Sequence, residues 1–260
     1  IIDNLSVNWY LNDYLTVKGQ FSVTKQYTSS ERFYDPLSSK VSVYGTTDTK
    51  LQGDLFTGEG SSLSWNSNAF LYYTRSFGNH NFNFSGGWEA SAYNTENTSA
   101  QYRGFPSGQF NSLNYASEIY KKPTLTENTT RRVSILATLN YTWNDIYLAD
   151  ASVRFDGSSE FGANQKWAPF FSGGLGVNIH NYDFLKGNEK INKLKVRASY
   201  GRTGKVNFPA YAATTMYETL FDEWYITGYG AVLKALGNKD LSWEKTDKFN
   251  FGIETQFFNQ

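Results

Sequence analysis

Hydrophobic and polar residues alternate one by one through long parts of this chain. The clearest example runs from Tyr147 to Asp156, where Tyr, Ala, Val and Phe at odd positions alternate with mostly polar or charged residues at even positions. A period of two places successive side chains on opposite faces of a β-strand. The run Asp156-Gly157-Ser158-Ser159 favours a turn, and extended sequence resumes at Trp167. The pattern therefore predicts a strand, a loop and a second strand.

The same alternation predicts about nine strands in the whole chain. They cover residues 5–11, 15–23, 63–73, 82–88, 133–141, 147–156, 167–180, 194–200 and 249–257. Polar, irregular sequence at 26–60, 92–130 and 203–243 predicts three long connections, and the other connections are shorter.

The order of these connections is short, long, short, long, short, medium, short, long. Outer-membrane barrels have short periplasmic turns and longer extracellular loops, which alternate along an up-and-down chain. Strands of about 10 to 12 residues, tilted by about 45°, are long enough for the apolar band of such a barrel. The fold class predicted is therefore all-β, a transmembrane antiparallel up-and-down β-barrel.

Large aromatic residues lie near the predicted strand ends, as is typical of a membrane barrel, because Trp and Tyr favour the membrane–water interface. One group flanks the predicted short turns: Trp9, Tyr10, Tyr14, Tyr72, Tyr73, Phe77, Tyr141, Trp143 and Tyr147. A second group lies near the long connections: Trp65, Trp88, Trp167 and Trp243. The alternative explanation is a soluble all-β domain, such as a sugar-binding sandwich, with these rings in its core.

Composition narrows the possibilities further. The 260 residues include 24 basic and 24 acidic side chains, no cysteine and 18% aromatic residues, and the mean hydropathy is −0.52. A neutral chain without Lys/Arg blocks argues against a nucleic-acid partner. No apolar run approaches the roughly 20 residues of a membrane helix. Because the chain starts at Ile1 in strand-like sequence, without an initiator Met or signal peptide, we expect an internal fragment.

Four segments carry a resemblance to a known family. They are 154–162 (RFDGSSEFG) with 167–172 (WAPFFS), 194–204 (LKVRASYGRTG), 236–246 (LGNKDLSWEKT) and 250–254 (NFGIE). In this order and spacing they resemble the SusC/RagA group of TonB-dependent outer-membrane transporters, from about residue 61 to the end.

The resemblance implies a barrel of 22 strands with a plugged lumen, of which residues 1–260 are part of one β-barrel domain. It also implies location in the outer membrane of a Gram-negative, Bacteroidetes-like cell, in contact with outer-membrane lipid. The expected partners are a SusD-like surface lipoprotein and TonB, and the expected cargo is an oligosaccharide or peptide nutrient. In the family, the plug and the TonB-contacting segment precede the barrel, so we expect neither in this chain.

The residues offer little material for catalysis. With only His80 and His180, both expected to be solvated beside turns, and no cysteine, neither a catalytic triad nor a metal site is predicted, and no cofactor is expected. The sequence Gly201-Arg202-Thr203-Gly204-Lys205 has the wrong spacing for a phosphate loop. The run 156–159 lacks the alternating carboxylates of a calcium loop. The chain is therefore not expected to be an enzyme.

Candidate contact residues instead lie in the long connections. Aromatic rings stack on sugars or peptide side chains, and Arg binds carboxylates or hydroxyls. On this basis we expect substrate or partner contacts from Tyr102, Arg103, Phe105, Tyr120, Trp224, Tyr225 and Tyr229. Packing between loops is the alternative role for each of them. The charged residues expected to face the lumen are Asp150, Arg154, Asp156, Lys195 and Arg197. A passive outer-membrane channel and a surface adhesin barrel stay open as alternative functions.

Overall fold

The computed structural model describes residues 1–40, 48–187, 190–226 and 228–258, and of residues 221–224 only the backbone. Parts of the three connections predicted at 26–60, 181–192 and 203–243 lie outside these ranges. Within the described residues, no helix is long and apolar enough to cross a membrane.

Nine strands form one antiparallel sheet, as the alternation predicts. They are β1 (Ile2–Asn12), β2 (Leu15–Tyr34), β3 (Asp54–Phe77), β4 (His80–Arg103), β5 (Glu118–Trp143), β6 (Tyr147–Ser158), β7 (Trp167–Asn178), β8 (Ile191–Lys205) and β11 (Glu244–Phe257). Each strand pairs with its neighbours in chain order, and β1 and β11 are the two edges of this sheet. The connectivity is that of an up-and-down barrel wall.

The connection between β8 and β11 contains a hairpin that the sequence did not predict. Strands β9 (Met216–Tyr225) and β10 (Gly228–Ala235) pair antiparallel in a separate two-stranded sheet. The prediction of a long irregular connection at 203–243 was therefore wrong in this part.

Strands β2 to β5 are much longer than expected. They contain 20, 24, 24 and 26 residues, so most of the predicted connection at 92–130 and part of that at 26–60 are strand. The alternation of apolar and polar residues stops in these extensions because many of their residues are Ser, Thr, Asn or Glu. Backbone pairing continues there without an apolar face, and a pattern of hydrophobicity cannot detect it.

The turns at one end of the sheet are tight. Gly78, Asn144 and Asp145 have positive φ angles of 55°, 54° and 57°, as turns between twisted strands require. At the other end β6 continues through Ser158, so the turn predicted at 156–159 begins later than expected. The expected alternation of loop lengths is also not strict, because residues 159–166 form a shorter connection than residues 179–190.

The described residues fall into two compact units. Unit 1 contains Ile1–Asp3, Val23–Trp65 and Tyr93–Thr129, and unit 2 contains Asn4–Ser22, Asn66–Ala92 and Thr130–Gln260. In unit 1, Leu55 is fully buried and Phe105 is 3% exposed, with the Phe105 ring packed edge-on against Phe33 at 5.1 Å between centroids. The amide Nε2 of Gln101 donates to Asp54 at 3.0 Å in the same interior.

In unit 2 the strand register separates apolar from polar residues. The apolar face combines odd positions of β5, β6 and β7 with even positions of β8 and odd positions of β11; for example, Leu139 pairs with Ala151, and Ala198 pairs with Phe251. Val153, Leu139 and Phe251 are 48%, 39% and 63% exposed. They are not packed against a dry interior, and an exposed apolar surface of this extent marks a membrane or protein contact.

Aromatic side chains cover the apolar face where it meets the tight turns. Trp143 stacks on Tyr147 at 5.2 Å and His80 on Trp143 at 6.2 Å, and the Nδ1 atom of His80 lies 2.7 Å from the Tyr141 hydroxyl. The Tyr182 hydroxyl donates to Tyr147, which raises the pKa of Tyr182. These rings form the aromatic border predicted for the short-turn end. His180 is half-buried with its Nδ1 atom 3.1 Å from the Leu194 carbonyl oxygen, so the prediction that it is solvated was wrong.

Candidate functional site

The polar face of unit 2 lies on the opposite side of the same five strands. It contains the even positions of β5, β6 and β7, the odd positions of β8 and the even positions of β11, which place Asp150 next to Asn140 and Gly174, and Lys195 next to Glu254. All five charged residues predicted to face the lumen are on this face. Their exposure to a lumen is still a prediction, because the nine strands described form an open sheet with β1 and β11 at its edges.

Arg154 is the centre of a network near the long-connection end of the polar face. Its Nε donates to Asp156 at 2.5 Å, and its Nη2 donates to Ser134 at 2.9 Å and to Glu89 at 3.3 Å. The Asp156 carboxylate is largely covered, whereas Arg154 and Glu89 are partly exposed. A guanidinium held in this way presents its remaining N–H groups in a fixed direction.

A second ionic cluster lies nearer the tight turns. The Nζ of Lys193 lies 2.9 Å from one carboxylate oxygen of Glu254, and the Nε of Arg197 lies 3.4 Å from the other. Of the five predicted charged residues, Arg154 and Asp156 thus belong to the cluster around Arg154 and Arg197 belongs to the cluster around Glu254, which Lys195 adjoins in register.

Two of the family-like segments pack against each other next to the first cluster. The backbone N–H of Gly162 donates to the Leu241 carbonyl at 3.0 Å, and Asn164 N–H donates to the Lys239 carbonyl at 3.2 Å. The Phe161 ring stacks on Trp243 at 4.3 Å. We call residues 158–164 together with 238–243 the loop node. It joins the beginning of the connection between β6 and β7 to the end of the connection that precedes β11.

Glu160 joins the loop node to the polar face. It is 7% exposed, and its Oε2 accepts from Arg132 Nη2 at 2.8 Å and from the Ser158 hydroxyl at 3.1 Å. Because a buried carboxylate needs such partners, this triad keeps the start of the connection in one position.

A cavity of about 350 Å³ opens beside the loop node. Its lining includes Arg132, Ser134, Arg154, Asp156, Lys205 and Trp243. Three cationic groups and a hydroxyl can bind carboxylates or hydroxyls of a passing ligand. The indole Nε1 of Trp243 is buried without a hydrogen-bond partner in the part of the chain described.

In unit 1 the structure brings two of the predicted contact residues together. The guanidinium of Arg103 lies 4.4 Å above the Tyr120 ring and its Nε is 2.5 Å from Glu118. Tyr102 is the preceding residue of β4 and is half-buried. Phe105 is packed in the interior of unit 1, so its ring is not presented to a ligand in this structure.

The remaining predicted contact residues belong to the β9–β10 hairpin. Tyr225 and Tyr229 are 59% and 56% exposed, and Trp224 pairs in register with Tyr229. The side chain of Trp224 lies outside the described residues. The hairpin also exposes Tyr217, Val232 and Leu233, which gives it an aromatic and apolar surface.

Sequence reasoning missed Glu89, Arg132, Ser134 and Glu160. Arg132 and Ser134 lie within β5, where only the apolar positions were considered. Glu89 lies in β4, one residue beyond the predicted end of that strand. For Glu89, Arg132 and Ser134 the available signal was their even or odd position relative to Trp88 and Val133, which places them on the polar face; Glu160 lies in a connection, where alternation gives no signal. Among the described residues, no group of three or more His, Asp or Glu side chains could hold a metal ion.

Comparison with known proteins agrees with this architecture. The model of the family described as "TonB dependent receptor-like, beta-barrel" matches residues 2–260. The TonB-dependent receptor SusC of Bacteroides thetaiotaomicron is 30% identical over 203 residues, which is 74% of this chain and 19% of SusC. A TonB-dependent receptor of Formosa agariphila is 36% identical over 157 residues, which is 60% of this chain and 15% of that receptor.

Solved structures extend the comparison to three dimensions. The RagAB peptide transporter matches with a TM-score of 0.86 and 25% identity over 99% of this chain and 28% of the compared chain. The siderophore receptor PiuA from Acinetobacter baumannii shares only the fold, with a TM-score of 0.54 and 13% identity over 97% of this chain and 37% of that receptor. The chain thus spans about a fifth of the curated relatives and about a quarter of the RagAB chain.

Proposed function

Because the chain belongs to the TonB-dependent receptor β-barrel family of the outer membrane, we propose that it forms a section of the barrel wall in a SusC/RagA-type importer. The proposed cargo of the whole protein is a nutrient oligomer, either an oligosaccharide or a peptide. Residues 1–260 belong to one barrel domain in this proposal. The plug and the TonB-contacting segment belong to other parts of the protein, and TonB supplies the energy.

One observation carries the proposal. In unit 2, the register of β5 to β8 and β11 gives a mainly apolar face opposite a polar face that carries the Arg154 and Glu254 ion-pair clusters. A sheet that separates lipid from a water-filled interior needs this division. The similarity to the RagAB transporter over 99% of the chain supports the same reading.

The proposed cargo contacts are at the long-connection end of the sheet. The cavity next to the loop node offers Arg132, Arg154 and Lys205 to carboxylate or hydroxyl groups. In unit 1, the Arg103 and Tyr120 pair offers a charged edge and an aromatic face. Both sets suit the polar groups of peptides and of oligosaccharides.

The proposed contact for a SusD-like lipoprotein is the β9–β10 hairpin. Its exposed tyrosines, among them Tyr217, Tyr225 and Tyr229, are of the residue type enriched at protein interfaces. A hairpin outside the main sheet can contact a partner without disturbing the barrel wall.

Deleting the full-length gene tests the function. We expect loss of growth on one polymer-derived nutrient, while entry of small unrelated solutes is unchanged, and we expect the same loss when TonB is removed from an otherwise wild-type strain. Complementation with the wild-type gene is the positive control. A general fall in small-solute entry would indicate a passive channel, and unchanged uptake with lost surface binding would indicate an adhesin. Either result would contradict the proposal.

A further inference from the structure

A shallow groove with a basic lining lies on the apolar face, at the end of β5, β6 and β7 that carries the longer connections. Its volume is about 220 Å³, and its lining consists of Arg131, Val133, Gly157, Ser158, Ser159, Lys166 and Trp167. Gly157 also lines the cavity beside the loop node and Ser158 binds Glu160, whereas Arg131, Val133, Lys166 and Trp167 take no part in the contacts that the proposed function uses.

Hydrogen bonds that involve backbone atoms join the strand ends that line the groove. Arg131 N–H donates to the Ser159 hydroxyl and Ser159 N–H donates to the Arg131 carbonyl, each at 3.0 Å. Ser158 N–H donates to the Lys166 carbonyl at 3.1 Å. The Trp167 ring packs against Gly157, where an added Cβ would come within 2.8 Å of the indole. The backbones of Arg131 and Lys166 and the ring of Trp167 are therefore held in place relative to one another, and the two basic side chains extend from neighbouring positions.

The charge of the groove has one sign. Arg131 and Lys166 are exposed, no carboxylate is among the lining residues, and neither cation forms an ion pair with another described residue. Glu160 is close in sequence, but it is buried and bound to Arg132 and Ser158. The groove is thus complementary to an anion.

The surface beside the groove is apolar. Val133 and Ile135 follow Arg131 on the same face of β5, and Phe155 precedes Gly157 on β6; their exposed fractions are 41%, 57% and 50%. Two cations at the end of an apolar strand face, with an exposed Trp in the same groove, match the headgroup and acyl chains of an anionic lipid.

We propose that this groove binds a phosphate-bearing lipid of the outer leaflet. The lipid phosphate lies between Arg131 and Lys166, Trp167 lies at the level of the headgroup, and the acyl chains run over Ile135 and Phe155. The outer leaflet is assigned because the groove is at the end of the longer connections, which are extracellular in this class of barrel.

Binding of purified lipid A to the full-length protein in neutral detergent tests the proposal, with bound lipid counted by native mass spectrometry. We expect the Arg131→Ala, Lys166→Ala double variant to bind lipid A about tenfold to thirtyfold more weakly, because each basic residue near an anionic headgroup contributes about a fivefold factor. Wild-type protein should show a similar loss with dephosphorylated lipid A. This second arm leaves the protein unchanged, so it does not depend on how the variant folds.

The matched control removes two positive charges elsewhere. Lys186→Ala with Lys190→Ala lies in the connection between β7 and β8, at the opposite ends of these strands, and should bind lipid A as the wild type does. Equal binding by the Arg131, Lys166 variant and the wild type would overturn the proposal. So would equal binding of phosphorylated and dephosphorylated lipid A, which would show that the groove is only part of the general apolar surface. Because neither measurement involves transport, both results are independent of the proposed cargo.

Discussion

At the scale of single residues, most residues of the segment from Arg154 to Gly162 make a different contact. Arg154 and Asp156 pair on the polar face, Gly157 makes room for the Trp167 ring, and Glu160 binds Arg132. Phe161 packs on Trp243. The motif that identifies the family is therefore chiefly a packing motif, because its residues hold two connections against the sheet.

Gly162→Ala tests the loop node. An added Cβ at this position would lie 2.0 Å from the Lys239 carbonyl oxygen and 2.2 Å from its carbon. Backbone atoms cannot move aside easily, so we expect a loss of about 1–3 kcal/mol or more of stability. The measurement is the temperature at which the full-length protein loses its folded band on heat-modifiability gels.

Gly173→Ala is the control for this prediction. Its Cβ would meet only the Asp150 carbonyl oxygen at 3.7 Å, an ordinary contact distance. We expect an unchanged transition temperature. If both variants behave as the wild type does, the contact between residues 158–164 and 238–243 is not important for stability.

At the scale of elements, the sequence predicts the strands where one face is apolar and misses their extensions. Strands β6 and β8 were found because apolar and polar residues alternate along them, as Val153 and Arg154 or Val196 and Arg197 show. The extensions of β2 to β5 were missed because polar residues on both faces carry no periodic signal. The β9–β10 hairpin was missed for a related reason, since polar and apolar residues do not alternate regularly in it.

The candidate site was predictable to a similar extent. Alternation is sufficient to place Asp150, Arg154, Asp156, Lys195 and Arg197 on one face. It cannot identify the residues that bind them. Glu89 and Arg154, for example, are 65 residues apart in sequence and come together only when the strands pair. Nor can it show that Phe105 is buried, because an aromatic residue in a polar connection is equally compatible with packing and with ligand contact.

The two faces should differ in how well they tolerate a charged side chain, and substitutions in β6 and β5 test this difference. Val153→Arg places a cation near the middle of the apolar face, and we expect a loss of about 2 kcal/mol, because a charge facing lipid at mid-depth costs about 2–4 kcal/mol. Asn140→Arg places the same side chain on the polar face next to Asp150, its partner in register. We expect wild-type stability for that variant. Heat-modifiability of the folded band in the full-length protein measures both, and equal losses would contradict the assignment of the faces.

At the scale of the whole molecule, the proposed function depends on the chemical difference between the two faces of the sheet. The apolar face, with its aromatic border at Tyr141, Trp143 and Tyr147, is suited to lipid, and the polar face, with its fixed Arg154 and Glu254 clusters, is suited to water and a polar cargo. The proposed import function, the lipoprotein contact and the lipid groove all depend on this division. A soluble sandwich would bury one of the two faces instead.

Spin-label accessibility along β6 tests this division most directly. The chain has no cysteine, so single cysteines at Val153 and Ser152 in the full-length protein can carry nitroxide labels after reconstitution into lipid vesicles, once any cysteine elsewhere has been replaced. We predict that the label at 153 collides more with oxygen, which concentrates in lipid, and that the label at 152 collides more with a water-soluble nickel complex. Equal accessibility at the two positions, or a label at 153 shielded from both reagents, would contradict the account.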